Sequence, residues 1–200
     1  MRRGLRLRYF QSGGARLDAE REIRRELVNE QLFRETSMAS VKKSPQKAAI
    51  EPVPKRAITN HRVLNEAYHY AKPSSFSRGI RVDLGGGAVM LLISGTASID
   101  EHGATVHVGD FRAQCRRTFQ NVTALLASEG ATWKDIVRTT CYLRDIDRDY
   151  AQFNEERTAF YNEQGLDPLP ASTGVQAKLC RPELLVEIEA IAMFREVPEE

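Results

Sequence analysis

Long hydrophobic runs are absent from this sequence: none approaches the roughly 18 apolar residues that a helix needs to cross a bilayer. Cysteine is scarce too, and three residues without close spacing argue against a disulfide framework or a cysteine-rich metal site. The N-terminus also lacks the basic, apolar and small-residue succession of a secretory signal. Together these absences predict a cytoplasmic protein with reduced thiols and no membrane partner.

Histidine is equally sparse, and its spacing excludes further classes of site. The glycine run at 85–87 is not followed by a predicted helix, so it indicates a hairpin connection and not a phosphate-binding loop. We therefore expect no cofactor and no catalytic metal, because four histidines stand without ligand spacing: His61, His69, His102 and His107.

Charge is divided unevenly along the chain. Residues 1–60 hold 14 Lys and Arg against 7 Asp and Glu, which leaves 15 of the 29 basic and 20 of the 27 acidic residues in the remainder. A basic tail can approach polyanions. The acidic remainder has no basic face interleaved with aromatic residues, so we do not expect nucleic-acid binding.

The composition divides the chain into two parts. Residues 1–62 form a basic N-terminal extension, rich in Arg, Lys, Glu, Ser and Pro, that we expect to be partly disordered. Residues 18–35 carry alternating charges at loose helical spacing, so a solvated helix is the alternative there. The folded domain is predicted over 63–200, with ordered structure beginning near Tyr68.

Strand and helix signals alternate through this domain. Apolar residues at helical spacing predict one helix from the capping residue Asp110 to Gly130, and another over 149–164. The second and third predicted strands should pair as a hairpin. β-Branched and aliphatic runs predict strands over 79–84, 88–99, 104–108, 136–143, 173–179 and 184–194.

This order of elements predicts an α/β (α+β) fold, a mixed sheet with two helices on one face. Alternate residues on several strands are apolar, and two helices cover only one face of a sheet. We therefore expect identical subunits to cover the other face.

The last predicted strand carries the strongest candidate for chemistry. Glu187 and Glu189 interrupt an apolar run, and the alternation of a strand puts both on one face. A carboxylate beside apolar residues is partly desolvated, which raises its pKa and makes it a usable proton donor or acceptor near neutrality. The alternative is that both glutamates pair with arginines at a subunit interface.

A set of motifs from Gly79 onward resembles the RidA/YjgF/L-PSP superfamily. The resemblance implies a chorismate-mutase-like fold, a homotrimer whose sheets form a central barrel, and small-molecule clefts between subunits. The combination is specific, although each piece alone is weak. The motifs are Ile93-Ser94-Gly95-Thr96-Ala97-Ser98, Gln120-Asn121-Val122, Tyr142-Leu143-Arg144-Asp145, Phe153-Asn154, Pro170-Ala171 and Val186-Glu187-Ile188-Glu189-Ala190-Ile191-Ala192.

One branch of this superfamily hydrolyses 2-imino and enamino acids to 2-oxo acids and ammonia, and there the resemblance makes Glu187 the residue that positions water. The arginine that binds the substrate carboxylate in that branch is replaced by Ser172, followed by Thr173 and Gly174. Serine cannot supply a charged, bidentate fork. Phe76 also stands where the branch has a cleft tyrosine, so the resemblance implies a ligand other than the standard 2-imino acids.

A second branch matches in other details. The stretch 170–174, the pair Cys180-Arg181 and Glu187 are similar to the C-terminal half of chorismatases, which hydrolyse chorismate to pyruvate and a cyclic acid. That likeness makes Glu187 a general acid and places Cys180 in the pocket. Chorismatases carry a second RidA-like half upstream, which has no counterpart in these 200 residues.

Several further residues are candidates for binding the substrate. Arg78, in the loop that enters the family's cleft, is our first candidate for the missing carboxylate ligand, and Arg181, Arg144 and Lys178 are alternatives. An arginine beside acidic strands is more often a structural partner. Cys180 is expected to be an inert pocket thiol, since no histidine lies in the matching motifs. The remaining candidates are Ser94 with Gly95, as a backbone-bonding turn or a substrate contact, and Asn154, as a helix cap or a cleft residue.

The sequence thus predicts a RidA-family hydrolase acting on a small carboxylate-bearing imine, enamine or enol ether in a cleft between subunits. A chorismatase-like hydrolase and a non-catalytic metabolite-binding trimer are the alternatives. The ribonuclease activity attached to the superfamily by name is not expected, because the motifs hold no His/Lys pair suited to phosphodiester cleavage and the domain is acidic.

Overall fold

The computed structural model describes residues 22, 24–31, 51–70 and 72–197. The chain divides into two compact units, Met1–Glu51 and Pro52–Glu200. In the first unit, residues 24–31 are helical with exposed side chains, as the solvated-helix alternative for 18–35 predicted. The disorder expected for the rest of 1–50 falls outside the described residues.

The second unit is built on a six-stranded mixed sheet, which confirms the predicted fold class. Its strand order is β1-β2-β3-β6-β4-β5, and β4 and β5 form the one parallel pair among the five described pairings. The strands are β1 (Lys55–Ile58), β2 (Gly79–Gly85), β3 (Ala88–Ala97), β4 (Ile136–Leu143), β5 (Ala171–Gln176) and β6 (Val186–Arg195).

The second unit also contains two α-helices, one after β3 and one after β4. Helix α1 covers Phe111–Ala127 and helix α2 covers Ile146–Glu163, with short 3-10 turns at Ala67–His69 and Trp133–Asp135. The side chain of Asp110 accepts a hydrogen bond from the backbone of α1, as predicted, and Asp145 caps α2 in the same way. Because Asp145 is the capping residue, α2 begins at Ile146, three residues before the predicted start at Asp149.

The core lies between the helices and one face of the sheet. Alternate residues of β6, namely Val186, Ile188 and Ala190, are buried there, as the period of a strand predicts. Phe119 of α1 stacks on Phe160 of α2 with ring centroids 4.5 Å apart. The two helices therefore share one aromatic core over the same face.

The opposite face of the sheet is partly exposed. Cross-strand pairing puts Leu92 beside Ile80 and Ile191, and Met90 beside Met193, all on this side. Leu92 is 39% exposed and Met193 47% exposed. This is the face that the sequence predicted to need cover.

Two further sequence predictions about element boundaries are wrong. Ordered structure begins before Tyr68: β1 pairs with β2, and Ile58 is fully buried. The predicted strand over 104–108 is reduced to one bridge between Ile99 and Thr105, because positive φ angles at residues 103, 107 and 109 turn the chain toward α1.

None of the helices in the described ranges has both the length and the hydrophobicity to span a bilayer.

Candidate functional site

A cleft of about 840 Å³ opens where β3 and β6 meet the loops around them. Its walls come from residues 69–70 and 72–78, the turn at 102–104 and the segment that leads into β6. The cleft brings together seven residues singled out from the sequence: Phe76, Arg78, Ser94, Gly95, Cys180, Arg181 and Glu187.

An irregularity in β3 positions Glu187. The register between β3 and β6 shifts between Ile93 and Thr96, so residues 94 and 95 bulge out of the ladder. A Cβ atom built on Gly95 would overlap the carboxylate of Glu187. The Glu187 side chain thus lies directly over the backbone of Gly95, a close approach that glycine permits.

The environment of Glu187 favours its protonated form. Burial is the main cause that raises the pKa of this carboxyl above the usual value for glutamate, and the negative charge of Glu189 adds to it. Within the described ranges no basic side chain lies within ion-pair distance of Glu187. A carboxyl group in this state can take or give a proton closer to neutral pH than an exposed glutamate.

Glu189 lies on the same face of β6 but in different surroundings. It is exposed, and its Oε2 accepts a hydrogen bond of 2.8 Å from the hydroxyl of Tyr142. This hydrogen bond is the main cause that raises the pKa of Tyr142. Pairing of both glutamates with arginines, the alternative weighed from the sequence, is not seen among the described residues of a single chain.

The cleft is rich in cationic side chains. Arg78 is buried and its Nε donates to the backbone oxygen of Asn65 at 3.0 Å, while Arg181 is half-buried and donates to the backbone oxygen of Gly103 at 2.6 Å. Lys72 also lines the cleft. The guanidinium groups face neutral acceptors, so their charge is available to an anionic ligand.

The other two candidates for the missing carboxylate ligand lie elsewhere. Arg144 donates to the backbone oxygens of Leu184, Leu179 and Arg181, which makes it a cap for the segment before β6. Lys178 is exposed and does not line the cleft. Arg144 therefore has the structural role considered for it.

Ser94 and Cys180 reach the cleft in different ways. The hydroxyl of Ser94 donates to the backbone oxygen of Ser77 at 2.8 Å, so it bonds the backbone while lining the cleft. The thiol of Cys180 is free and exposed.

Four predicted site residues lie outside this cleft, three of them in strand β5 and one, Asn154, in α2. Arg157 of α2 links two of them, since its guanidinium donates to Ser172 Oγ at 3.0 Å and to Asn154 Oδ1 at 2.6 Å. The hydroxyl of Thr173 accepts a hydrogen bond from Arg138, and Gly174 is the next residue of this strand. In a single chain these residues form a second polar cluster, distinct from the cleft.

Sequence reasoning missed a group of residues in the irregular segment before β2. Tyr70 and Lys72 line the cleft together with His69, and His102 joins them from the turn after β3. The segment has no strand or helix period that could orient its side chains. The one available signal was the aromatic and histidine-rich triplet at 68–70 within a loop, where binding residues are often found.

The match to a family model agrees with this architecture. The model described as Endoribonuclease L-PSP matches residues 71–194, which is more than half of the chain. The chain belongs to this family, the RidA/YjgF/L-PSP superfamily that the motifs indicated.

Individual relatives match the same part of the chain. A 2-iminobutanoate/2-iminopropanoate deaminase of Salmonella typhimurium is 34% identical over 114 residues, which cover 57% of this chain and 84% of the relative. The 3-aminoacrylate deaminase RutC of Acinetobacter baylyi is 32% identical over 103 residues, covering 52% and 78%. The crystal structure of the YjgF gene product of Escherichia coli superposes with a TM-score of 0.56 at 30% identity, covering 70% of this chain and 99% of that one.

Proposed function

We propose that this chain is a hydrolase of small, carboxylate-bearing imines or enamines, with Glu187 as the proton-transferring residue. The observation that carries the proposal is the position of Glu187: a desolvated carboxyl group without a basic partner in the described chain, inside a cleft lined by arginines. Two relatives named as deaminases of such compounds support the same reaction class.

The chemistry required of Glu187 is simple. In imine hydrolysis the carboxylate takes a proton from water while the water oxygen bonds to the imine carbon. The proton then passes to the nitrogen, which gives a carbinolamine. The hydroxyl proton follows it to the nitrogen by way of the same carboxylate, the carbonyl forms as the carbon–nitrogen bond breaks, and the products are an oxo acid and ammonia. Arginines in the cleft would hold the substrate carboxylate during these steps.

A chorismatase-like reaction is the second candidate, favoured by the presence of Cys180 and Arg181 beside Glu187 in the cleft. In that reaction a protonated Glu187 donates its proton to the methylene carbon of the enolpyruvyl group, and water then adds to the resulting cation and returns a proton to Glu187. The hemiketal formed breaks its ether carbon–oxygen bond, and its hydroxyl proton passes to the leaving oxygen, which gives pyruvate and an alcohol. The raised pKa of Glu187 suits this acid role as well.

The test compares the purified protein with two variants of the same strand. Glu187→Gln removes the proposed catalytic carboxyl, and Glu189→Gln makes the same change two residues away, where the carboxylate bonds Tyr142 outside the cleft. Each protein is assayed against freshly generated 2-iminopropanoate, 3-aminoacrylate and chorismate, following ammonia and pyruvate. The RNA-cleavage activity implied by the family name is assayed in parallel.

The proposal expects ammonia release that falls at least about 100-fold in Glu187→Gln and persists in Glu189→Gln. Pyruvate from chorismate without ammonia would instead support the chorismatase-like reaction. Binding of these compounds without turnover would support a metabolite-binding protein and overturn the hydrolase.

We further propose that the chain acts as a homotrimer, supported by the apolar face of the sheet left open in a single chain. Light scattering should then give about three times the chain mass of 22.6 kDa. Leu92→Glu, which places a charge on this face, should reduce the measured mass, whereas Val108→Glu, at an exposed residue off the sheet, should not. A mass of one subunit for the unaltered protein would refute the trimer.

A further inference from the structure

The ring of Tyr70 lies close to two guanidinium groups at one wall of the cleft. Its centroid is 5.3 Å from Cζ of Arg78 and 5.3 Å from Cζ of Arg181. Arg78 also donates a hydrogen bond to the hydroxyl of Tyr70. A Cβ atom at position 103 would overlap the same ring, so the backbone of Gly103 packs closely against it. Tyr70 is therefore fixed from several sides.

Both of the arginines beside Tyr70 donate their hydrogen bonds to neutral groups. The backbone oxygen of Asn65 accepts from Arg78, and the backbone oxygen of Gly103 and the hydroxyl of Thr105 accept from Arg181 at 2.6 and 3.3 Å. In the part of the chain that the structure describes, neither guanidinium has a carboxylate within 4 Å, whereas six other arginines do: Arg56, Arg81, Arg112, Arg116, Arg117 and Arg148. The positive charges of Arg78 and Arg181 are thus not neutralised by a carboxylate next to the cleft.

The two arginines differ in their access to a ligand. Arg78 has a residue exposure of 2%, and two of its nitrogens already donate to Asn65 and Tyr70. Arg181 is half-buried, lines the cleft, and donates through Nη1. A guanidinium can bind a carboxylate through two parallel hydrogen bonds, and stacking on an aromatic ring fixes the plane in which it does so.

We propose that Arg181, positioned by Tyr70, binds the carboxylate of the ligand within the same subunit that supplies Glu187. This inference rests on the proposed function and extends it, because it names the carboxylate-binding residue. It also explains how the chain can accommodate Ser172: the charge comes from a different segment, immediately before β6, and a neighbouring subunit is not needed for it.

The test uses pyruvate, the product common to hydrolysis of 2-iminopropanoate and of chorismate, and its neutral analogue pyruvamide. Binding is measured by isothermal titration calorimetry on the purified full chain. Arg181→Met keeps an unbranched apolar stem and removes the charge, and Lys178→Met removes one positive charge outside the cleft. Pyruvate should bind about 10- to 100-fold more weakly to Arg181→Met, and with unchanged affinity to Lys178→Met. The weak binding of pyruvamide should be the same in all three proteins.

Tyr70 is tested as a positioning residue. Tyr70→Phe keeps the aromatic ring beside the guanidinium of Arg181, so it should retain most of the affinity for pyruvate. Tyr70→Leu removes the aromatic face, so it should approach the affinity of Arg181→Met. Circular dichroism and the melting temperature check that each variant is folded. Rescue by phenylalanine would not occur if the hydroxyl alone held the loop.

Pyruvate binding that is unchanged in a folded Arg181→Met, or its absence in the unaltered protein, overturns this inference. Glu187→Gln separates it from the proposed function, because that variant should lose turnover while still binding pyruvate. If the protein binds pyruvate through Arg181 but turns over none of the substrates, the carboxylate-binding role of Arg181 stands and the proposed hydrolase activity is refuted.

Discussion

The carboxylate of Glu187 occupies the space that a side chain on residue 95 would need. The two residues lie on neighbouring strands, and a bulge in β3 brings the backbone of Gly95 under the glutamate. The absence of a side chain at Gly95 therefore permits the observed conformation of Glu187. It leaves room for a carboxyl group in a partly buried position that it could not otherwise occupy.

Gly95→Ala should therefore impair the proposed activity more than the fold. The new methyl group meets the flexible end of Glu187, which can move away at little cost in stability. Displacement of a catalytic group by about 1 Å lowers turnover by about 100-fold, so we expect a loss of that order in kcat. Steady-state kinetics and the melting temperature measure the two effects.

A double-mutant cycle supplies the control for this prediction. If Gly95→Ala acts through Glu187, adding it to Glu187→Gln should cause almost no further loss of turnover, because the two changes affect one interaction. Additive losses would contradict the positioning role and indicate an independent effect of the methyl group on the cleft.

The pH dependence of turnover should identify the role of Glu187. Burial and the charge of Glu189 raise its pKa above the usual glutamate value. As the base in imine hydrolysis it must be deprotonated, so kcat/KM should rise with pH through this raised pKa. As the acid in enol-ether cleavage it must be protonated, and kcat/KM should fall over the same range.

Glu189→Gln provides the matched perturbation. It removes one of the two causes of the raised pKa, so the midpoint of the pH profile should move to lower pH whichever role Glu187 has. A profile with its midpoint at the usual glutamate pKa, unmoved by Glu189→Gln, would assign the titration to a different group.

The part of the site on regular strands was predictable from the sequence. Glu187 lies on a strand in which apolar and polar residues alternate. The face on which its side chain lies therefore follows from this local period. The same reasoning separated the buried Val186 and Ile188 from the glutamates. The different environments of Glu187 and Glu189 could not be predicted, because they depend on Gly95 and Tyr142 on the two flanking strands.

The irregular part of the site was not predictable in this way. Tyr70 owes its orientation to Arg78, Gly103 and Arg181, which come from three separate segments. Contacts between three separate segments produce no regular spacing of residues from which they could be predicted. Strand β1 was missed for a related reason: it has four residues and one buried side chain, Ile58, too few to produce a period.

Side chains from distant segments also secure the edge of the sheet. Arg56 of β1 donates to Glu129, which follows α1, at 2.8 Å, and Arg81 of β2 lies 3.7 Å from the same carboxylate. Arg81 makes a further pair with Glu196 at 2.8 Å. The side chain of Glu129 is 3% exposed and that of Glu196 53% exposed.

The burial of these two glutamates predicts unequal contributions to stability. Glu129→Gln leaves two arginines beside a buried neutral group, so it should lower the free energy of unfolding by about 1–3 kcal/mol. Glu196→Gln removes an exposed partner and should lower the free energy of unfolding by less than Glu129→Gln does. Urea unfolding of both variants measures the difference, and equal losses would contradict a buried role for Glu129.

The three cysteines should differ sharply in reactivity. Cys115 and Cys141 are buried, and burial raises the pKa of both thiols, which suppresses the reactive thiolate. Cys180 is exposed and lines the cleft. Iodoacetamide should therefore modify one thiol per folded chain, and peptide mass spectrometry should place it at Cys180.

Pyruvate should slow this reaction, since it would occupy the same cleft, whereas pyruvamide should not. Cys180→Ser should remain unmodified; labelling of Cys115 or Cys141 in that folded variant would show that the core opens to the reagent, and a rate at Cys180 that pyruvate leaves unchanged would place the anion outside the cleft.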